Sequence, residues 1–200
     1  MSHNYSYITI QQAVTSLYKE KGSKFLGFAF PVEDEKDIQE KLLYLRELHP
    51  KATHHCYAWR LDEDNFRSDD DGEPTGTAGR PILGQIDRLN ITKCLVVSVR
   101  YFGGTKLGVS GLITAYKASA RETLEQANII EKELYSEFEL QCDYNSINLA
   151  YQWIQQFEAE IIEQEMTDSC RFDVKIPLRL QETAIQQQEA FYPVAFKLIT

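Results

Sequence analysis

The sequence predicts an α+β protein built as two domains, residues 1–130 and 131–200. Three observations carry this. The chain has 200 residues, enough for one large domain or two small ones with a real core. Its charge balance changes near residue 130: the first part holds 16 Lys/Arg and 17 Asp/Glu, the second 5 and 13. After that point the elements run strand, helix, strand, strand, helix, strand.

The first domain opens with two strands over residues 5–31, joined near Gly22. Ile8, Ile10 and Val14 begin an imperfect alternation, and Phe25, Leu26, Phe28, Phe30 and Val32 form a dense apolar segment. Residues 34–48 read as a helix, because Ile38, Leu42, Leu45 and Leu48 recur at helical spacing behind the acidic start Glu33-Asp34-Glu35. His49-Pro50 ends it. Residues 52–61 form a strand. Residues 62–79 are a long polar loop without periodicity, a length that in compact domains marks function or mobility. A short helix over 81–89 tolerates Pro81 in its first turn. The buried strand from Cys94 ends in Gly103-Gly104-Thr105-Lys106-Leu107-Gly108, and a helix follows from near Ser110 to about Ala127.

In the second domain, residues 133–142 alternate, with Leu134, Ser136, Phe138, Leu140 and Cys142 on one face. Residues 144–157 carry Ile147, Ala150, Tyr151, Ile154 and Phe157 at helical spacing. Strands over 159–166 and 170–178 flank a turn at Thr167-Asp168-Ser169. A helix over 180–190 and a strand over 193–199 complete βαββαβ, the order of a ferredoxin-like sandwich.

Composition bounds the function. With 26% charged and 12% aromatic residues the chain is not disordered. No apolar run approaches the roughly 20 residues of a membrane span, so no membrane partner is expected. The opening MSHNYSY lacks a basic-then-apolar export signal, which makes the cytoplasm the default location. Cys56, Cys94, Cys142 and Cys170 are far apart and read as reduced, buried thiols. Between Asp62 and Glu73 there are seven acids and one Arg; between Arg80 and Arg121, seven Lys/Arg and one acid. The basic block either meets phosphate on a partner or pairs with the acidic loop beside it.

Three motifs could carry chemistry. Strand, glycine loop and helix can surround an anion with backbone N–H groups and a positive helix end, flanked here by Arg100 and Lys106. The loop matches neither GxxxxGK[ST] nor GxGxxG, so no cofactor is expected; tight turning is the alternative use of its glycines. The run SDDDGEPTGTAGRPIL (68–83) offers oxygen ligands for a hard cation, but Pro74 stands where an EF-hand needs glycine. A solvated acidic loop is the other reading. In HHCYAWR (54–60), period two puts His54 and Cys56 on one face of a strand and His55, Tyr57 and Trp59 on the other. Neighbours on one face rarely aim at each other, which disfavours a Cys–His catalytic pair.

THHCYAW (53–59), SDDDGEPTGTAGRPIL (68–83) and VVSVRYFGGTKLGVSGLITAY (96–116) closely resemble the YigZ/IMPACT family, in order and spacing. The resemblance spans roughly residues 15–130, and 131–200 looks like the C-terminal domain of the bacterial YigZ branch. It implies an N-terminal ribosomal protein S5 domain 2-like fold, also seen in RNase PH, and a C-terminal ferredoxin-like domain similar to one of elongation factor G. It also implies a link to translation, since the eukaryotic relatives regulate translation through protein contacts. The family signature falls on His55, Cys56, Asp70, Asp71, Gly72, Glu73, Pro74, Gly76, Thr77, Ala78 and Gly79, and on Arg100, Tyr101, Gly103, Gly104, Lys106, Leu107 and Gly108. One departure is visible: where the family commonly has Gly-Gly-Leu, this chain has Ser110-Gly111-Leu112, with Ser110 a competent helix N-cap.

Three functions follow as expectations. The first is translation-associated binding of RNA or the ribosome through Arg80, Arg88, Arg100, Gly103, Gly104, Lys106, Gly108, Lys117 and Arg121. The second is regulation through a protein partner without nucleic acid. The third is an enzyme acting on a small phosphorylated or peptide-like substrate between the glycine loops, with Asp71, Glu73, His55 and Lys106 as its chemical groups. No recognisable catalytic set completes the third, and turnover stays open.

Overall fold

The computed structural model describes residues 5–199; the first four residues of the MSHNYSY opening and Thr200 lie outside it. The chain divides into two compact units, residues 8–131 and residues 5–7 with 132–199. Strand β1 (Ser6–Ile10) pairs with β7 (Ile129–Glu133) in a two-stranded sheet, and both passages between the units run through these strands. The segment expected as two strands is therefore three. Its partner lies some 120 residues away, so no local pattern marks the break.

Residues 8–131 hold a five-stranded antiparallel sheet of β2 (Val14–Glu20), β3 (Ser23–Pro31), β4 (His54–Arg60), β5 (Phe66–Asp69) and β6 (Cys94–Tyr101), ordered β2-β3-β6-β4-β5. Lys21 and Gly22 at φ 45° and 81° close the β2–β3 hairpin, as a two-residue turn with both φ positive requires. Helix α1 (Glu35–Leu48) covers one face, burying Ile38, Leu42 and Leu45 against Phe28, Trp59, Val97 and Val99. The Asp34 carboxylate caps it by accepting the Asp37 N–H at 2.8 Å. Helices α2 (Gly79–Arg88) and α3 (Gly108–Glu125) cover the other face, where Ile82, Ile86, Leu112, Tyr116 and Leu124 meet Phe25, Ala29, Cys56, Ala58 and Val96. The period-two assignment of β4 holds: Cys56 and Ala58 face α2 and α3, Tyr57 and Trp59 face α1.

Two readings of this unit are corrected. The polar loop 62–79 is not continuous, because β5 inside it pairs with β4 from Tyr57↔Asp69 to Arg60↔Phe66. Helix α3 starts at Gly108 rather than near Ser110; buried Leu107 occupies the cap position and no side chain caps the first turn.

The other unit runs β8 (Tyr135–Cys142), α4 (Ile147–Gln156), β9 (Glu160–Met166), β10 (Cys170–Pro177), α5 (Gln181–Gln186) and β11 (Ala195–Leu198). This is the expected βαββαβ order, with an antiparallel sheet ordered β11-β8-β10-β9. Ser136, Phe138, Leu140 and Cys142 line the buried face as the alternation predicts. Fully buried Trp153 anchors the core, its ring centroid 4.9 Å from Phe157 and 5.4 Å from Phe196. The helix expected over 180–190 is instead α5 between two short 3-10 turns.

Candidate functional site

The Asp69–Glu73 end of the acidic run folds back onto β4 and α2 and spends its charges there. The Asp70 carboxylate accepts the N–H groups of Gly76, Ala78 and Gly79 at 2.7, 2.9 and 2.8 Å. It caps α2, whose own cap residue, Ala78, has no side-chain acceptor. Burial works to raise its pKa, but those three N–H groups and the Arg80 charge prevail and hold it below the ordinary 3.8. Asp71 takes the His55 N–H at 2.6 Å and the Arg46 guanidinium at 2.8 Å. Its backbone carbonyl accepts from His54 Nδ1 at 2.7 Å, which places the proton of a neutral His54 on that nitrogen. Asp69 accepts the Asp71 N–H at 2.8 Å. These bonds replace the solvated acidic loop, and no group of three or more His, Cys, Asp or Glu among the described residues is arranged to hold a metal ion.

Glu73 closes the cluster. Its Oε1 accepts from Arg100 Nη1 and from the Tyr116 hydroxyl, the latter at 2.7 Å, and lies 3.7 Å from His54 Nε2. The Glu73 and Arg100 side chains are 4% and 6% exposed. Cys56 Sγ lies 3.0 Å from the Asp70 carbonyl and 3.3 Å from the Tyr116 hydroxyl. Burial holds the Cys56 thiol and the Tyr116 phenol far above their ordinary values, so both keep their protons at neutral pH and neither is an activated nucleophile. His55 lies on the α1 side of β4, and burial followed by the Arg46 charge lowers its pKa below 6.5.

The glycine loop sits beside this cluster. Gly103 passes so close to the β2–β3 turn that a Cβ there would lie 1.9 Å from the Gly22 carbonyl carbon. Its N–H bonds Ser23 Oγ at 3.2 Å. Gly108 opens α3 at φ 75°, a conformation that favours glycine. Between the loop, the start of α3 and the Glu73–Arg100 pair is a cleft of about 380 Å³, bordered also by Thr53, His54 and Pro74.

The structure separates the cations expected to act together. Arg100 is buried and committed to Glu73, so it is not a free phosphate ligand. Arg80 and Arg88 on α2, Lys117 and Arg121 on α3, and Lys106 in the loop are exposed. Both helices pack on the same face of the sheet. Arg121 alone of these five has an ion pair among the described residues, with Glu125 at 3.7 Å. Gly72 and Gly76 take positive φ in the acidic turn, and Thr77 is buried with its hydroxyl donating to the Pro74 carbonyl at 2.6 Å. Sequence reasoning missed Tyr116, Ser23 and Arg46. Tyr116 shares helical spacing with Leu112 and Ala120, which reads as core and hides the polar tip.

Residues 21–124 match the family profile described as the Impact N-terminal domain. The chain is 32% identical to the IMPACT family member YvyE of Bacillus subtilis over 163 residues, covering 80% of this chain and 72% of that protein. It is 30% identical to the IMPACT family member YigZ of Escherichia coli over 176 residues, covering 86% of each. A crystal structure of a hypothetical protein superposes with a TM-score of 0.77 at 27% identity over 98% of both chains.

Proposed function

This chain belongs to the IMPACT family, and from that premise we propose a translation-associated regulatory protein that binds RNA or the ribosome through the exposed α2–α3 face of residues 8–131. The observation that carries the reading is the placement of Arg80, Arg88, Lys117 and Arg121 on two helices packed against one face of the sheet, with Lys106 in the adjoining loop. Exposed cations gathered in this way attract a polyanion and release its counterions. Family membership supplies the link to translation. The two units are read as an S5 domain 2-like domain over 1–130 and a ferredoxin-like domain over 131–200, the latter on its strand order. The place of action is the cytoplasm, and no helix among the described residues is long and apolar enough to cross a membrane.

A second reading, a protein partner without nucleic acid, is favoured by a different surface. Leu43, Tyr44 and Leu48 of α1 are half exposed on the opposite side of the sheet. Co-sedimentation with ribosomes and retention of labelled RNA separate the two readings. Arg80→Ala/Arg88→Ala/Lys117→Ala/Arg121→Ala is expected to abolish both, and Leu43→Ser/Leu48→Ser to change neither. No RNA retained by the wild type, with ribosome co-sedimentation kept in the cation variant and lost in Leu43→Ser/Leu48→Ser, would transfer the function to α1 and a protein partner.

A further inference from the structure

Beside the cation face lies a cavity that shares Lys106 with it. We propose that the cleft between the glycine loop and the start of α3 binds a small organic acid: one carboxylate attached to an apolar body.

Size comes first. At about 380 Å³ the cleft falls at the small end of the roughly 300–1,000 Å³ of ligand pockets. Its walls supply the apolar body's partners. Leu107 and Leu112 are buried beneath it, while Phe102 and Val109 border it at 48% and 60% exposed. Two large apolar residues standing open at the edge of a concave site lose water when a ligand enters.

The anion's place follows from the helix end. Gly108 and Val109, the first residues of α3, line the cleft, and the first turn has neither a side-chain cap nor an acidic residue. Uncapped N–H groups and the positive helix end suit a carboxylate. A second observation points the same way. Lys106 also lines the cleft, exposed and without an ion pair among the described residues, and it is the cation left over once Glu73 holds Arg100.

Charge selects among anions. Of the Lys, Arg, Asp and Glu side chains in the lining, Arg100 and Lys106 stand against Glu73, a formal surplus of one positive charge. A monoanion balances that surplus; a dianionic phosphate would bring a second negative charge close to the Glu73 carboxylate.

The test is titration of the full chain with 4-phenylbutyrate, followed by amide NMR. Shifts are expected at Gly108 and Val109. The uncharged 4-phenylbutanamide is expected to bind at least tenfold more weakly, and Lys106→Ala to weaken the acid severalfold. Val109→Glu, at an exposed position, is expected to abolish binding while leaving the remaining amide spectrum in place. No shifts up to the solubility limit, equal binding of acid and amide, or unchanged binding in Val109→Glu would each overturn the proposal. A tetrapeptide ending in a free phenylalanine carboxylate is expected to bind no tighter than the small acid. Tenfold tighter binding would replace the small acid with a protein C-terminus. Retention of RNA is read with the helix cations instead, so the two proposals fail separately.

Discussion

Glu73 and Arg100 neutralise each other where little water reaches, and this sets what replacement of either does. Glu73→Gln leaves the guanidinium buried without a counter-charge, and about 3–5 kcal/mol of unfolding free energy should be lost. Urea titration measures it. Tyr116→Phe, which removes one hydrogen bond to the same carboxylate, should cost about 1.5–3 kcal/mol. If the two substitutions act on one network, the double variant should lose less than their sum. The pH dependence has one sign for two groups. The folded state holds His55 below 6.5, so on acidification the unfolded chain takes up that proton first and stability falls. Asp70 is held below 3.8, so its contribution is present above that pH and is lost as the pH falls further. Urea midpoints should therefore drop from neutral pH downward in two stages, with the first removed in His55→Gln. The thiols report the same burial. Cys94 is pushed up to about 12 and Cys142 to about 11 by burial, and all four cysteines are buried. A thiol reagent at pH 8 should find none until the chain unfolds. At this scale the sequence exposed the signature residues but not their pairing. Nothing local tells that Arg100 faces Glu73, 27 positions back, because β4 and β6 must first align.

Elements with a strong period or apolar run of their own were the legible ones. Helix α1, the strand at Cys94 and the alternation of β8 each declare themselves through period and burial. Strands β1 and β5 did not: the partner of β1 is the distant β7, and β5 is only four residues long, three of them polar, so no apolar pattern marks it. The start of α3 was misplaced for a different reason. Ser110 is the better cap by residue type, yet Gly108 alone takes the positive φ from which the helix departs. The loop's glycines also differ in kind. Gly103→Ala would drive a methyl into the Gly22 backbone at 1.9 Å, whereas a Cβ on Gly104 meets nothing within 4 Å and strains only φ. The first change should be much the more destabilising, with the second costing about 1–2 kcal/mol in thermal or urea unfolding.

Over the whole chain, charge is unevenly assigned. Residues 131–200 hold 5 Lys/Arg against 13 Asp/Glu. Most of those five are already engaged: Arg171 reaches Asp173 at 2.6 Å, Lys175 reaches Glu160 at 2.8 Å, and Arg179 reaches Glu133 at 2.9 Å. A polyanion therefore has little to hold there, which is why the proposed binding is assigned to residues 8–131. The basic block legible in the sequence divides in the fold, with Arg100 neutralised inside and the helix cations left on the surface. The measurement that tests this most directly is the salt dependence of single-stranded RNA binding, wild type against Arg80→Ala/Arg88→Ala/Lys117→Ala/Arg121→Ala. The account predicts a steep wild-type slope of log K on log salt that becomes shallower by about 3 in the variant, at about 0.7 per phosphate contact. Equal slopes, or no wild-type binding at low salt, would contradict it.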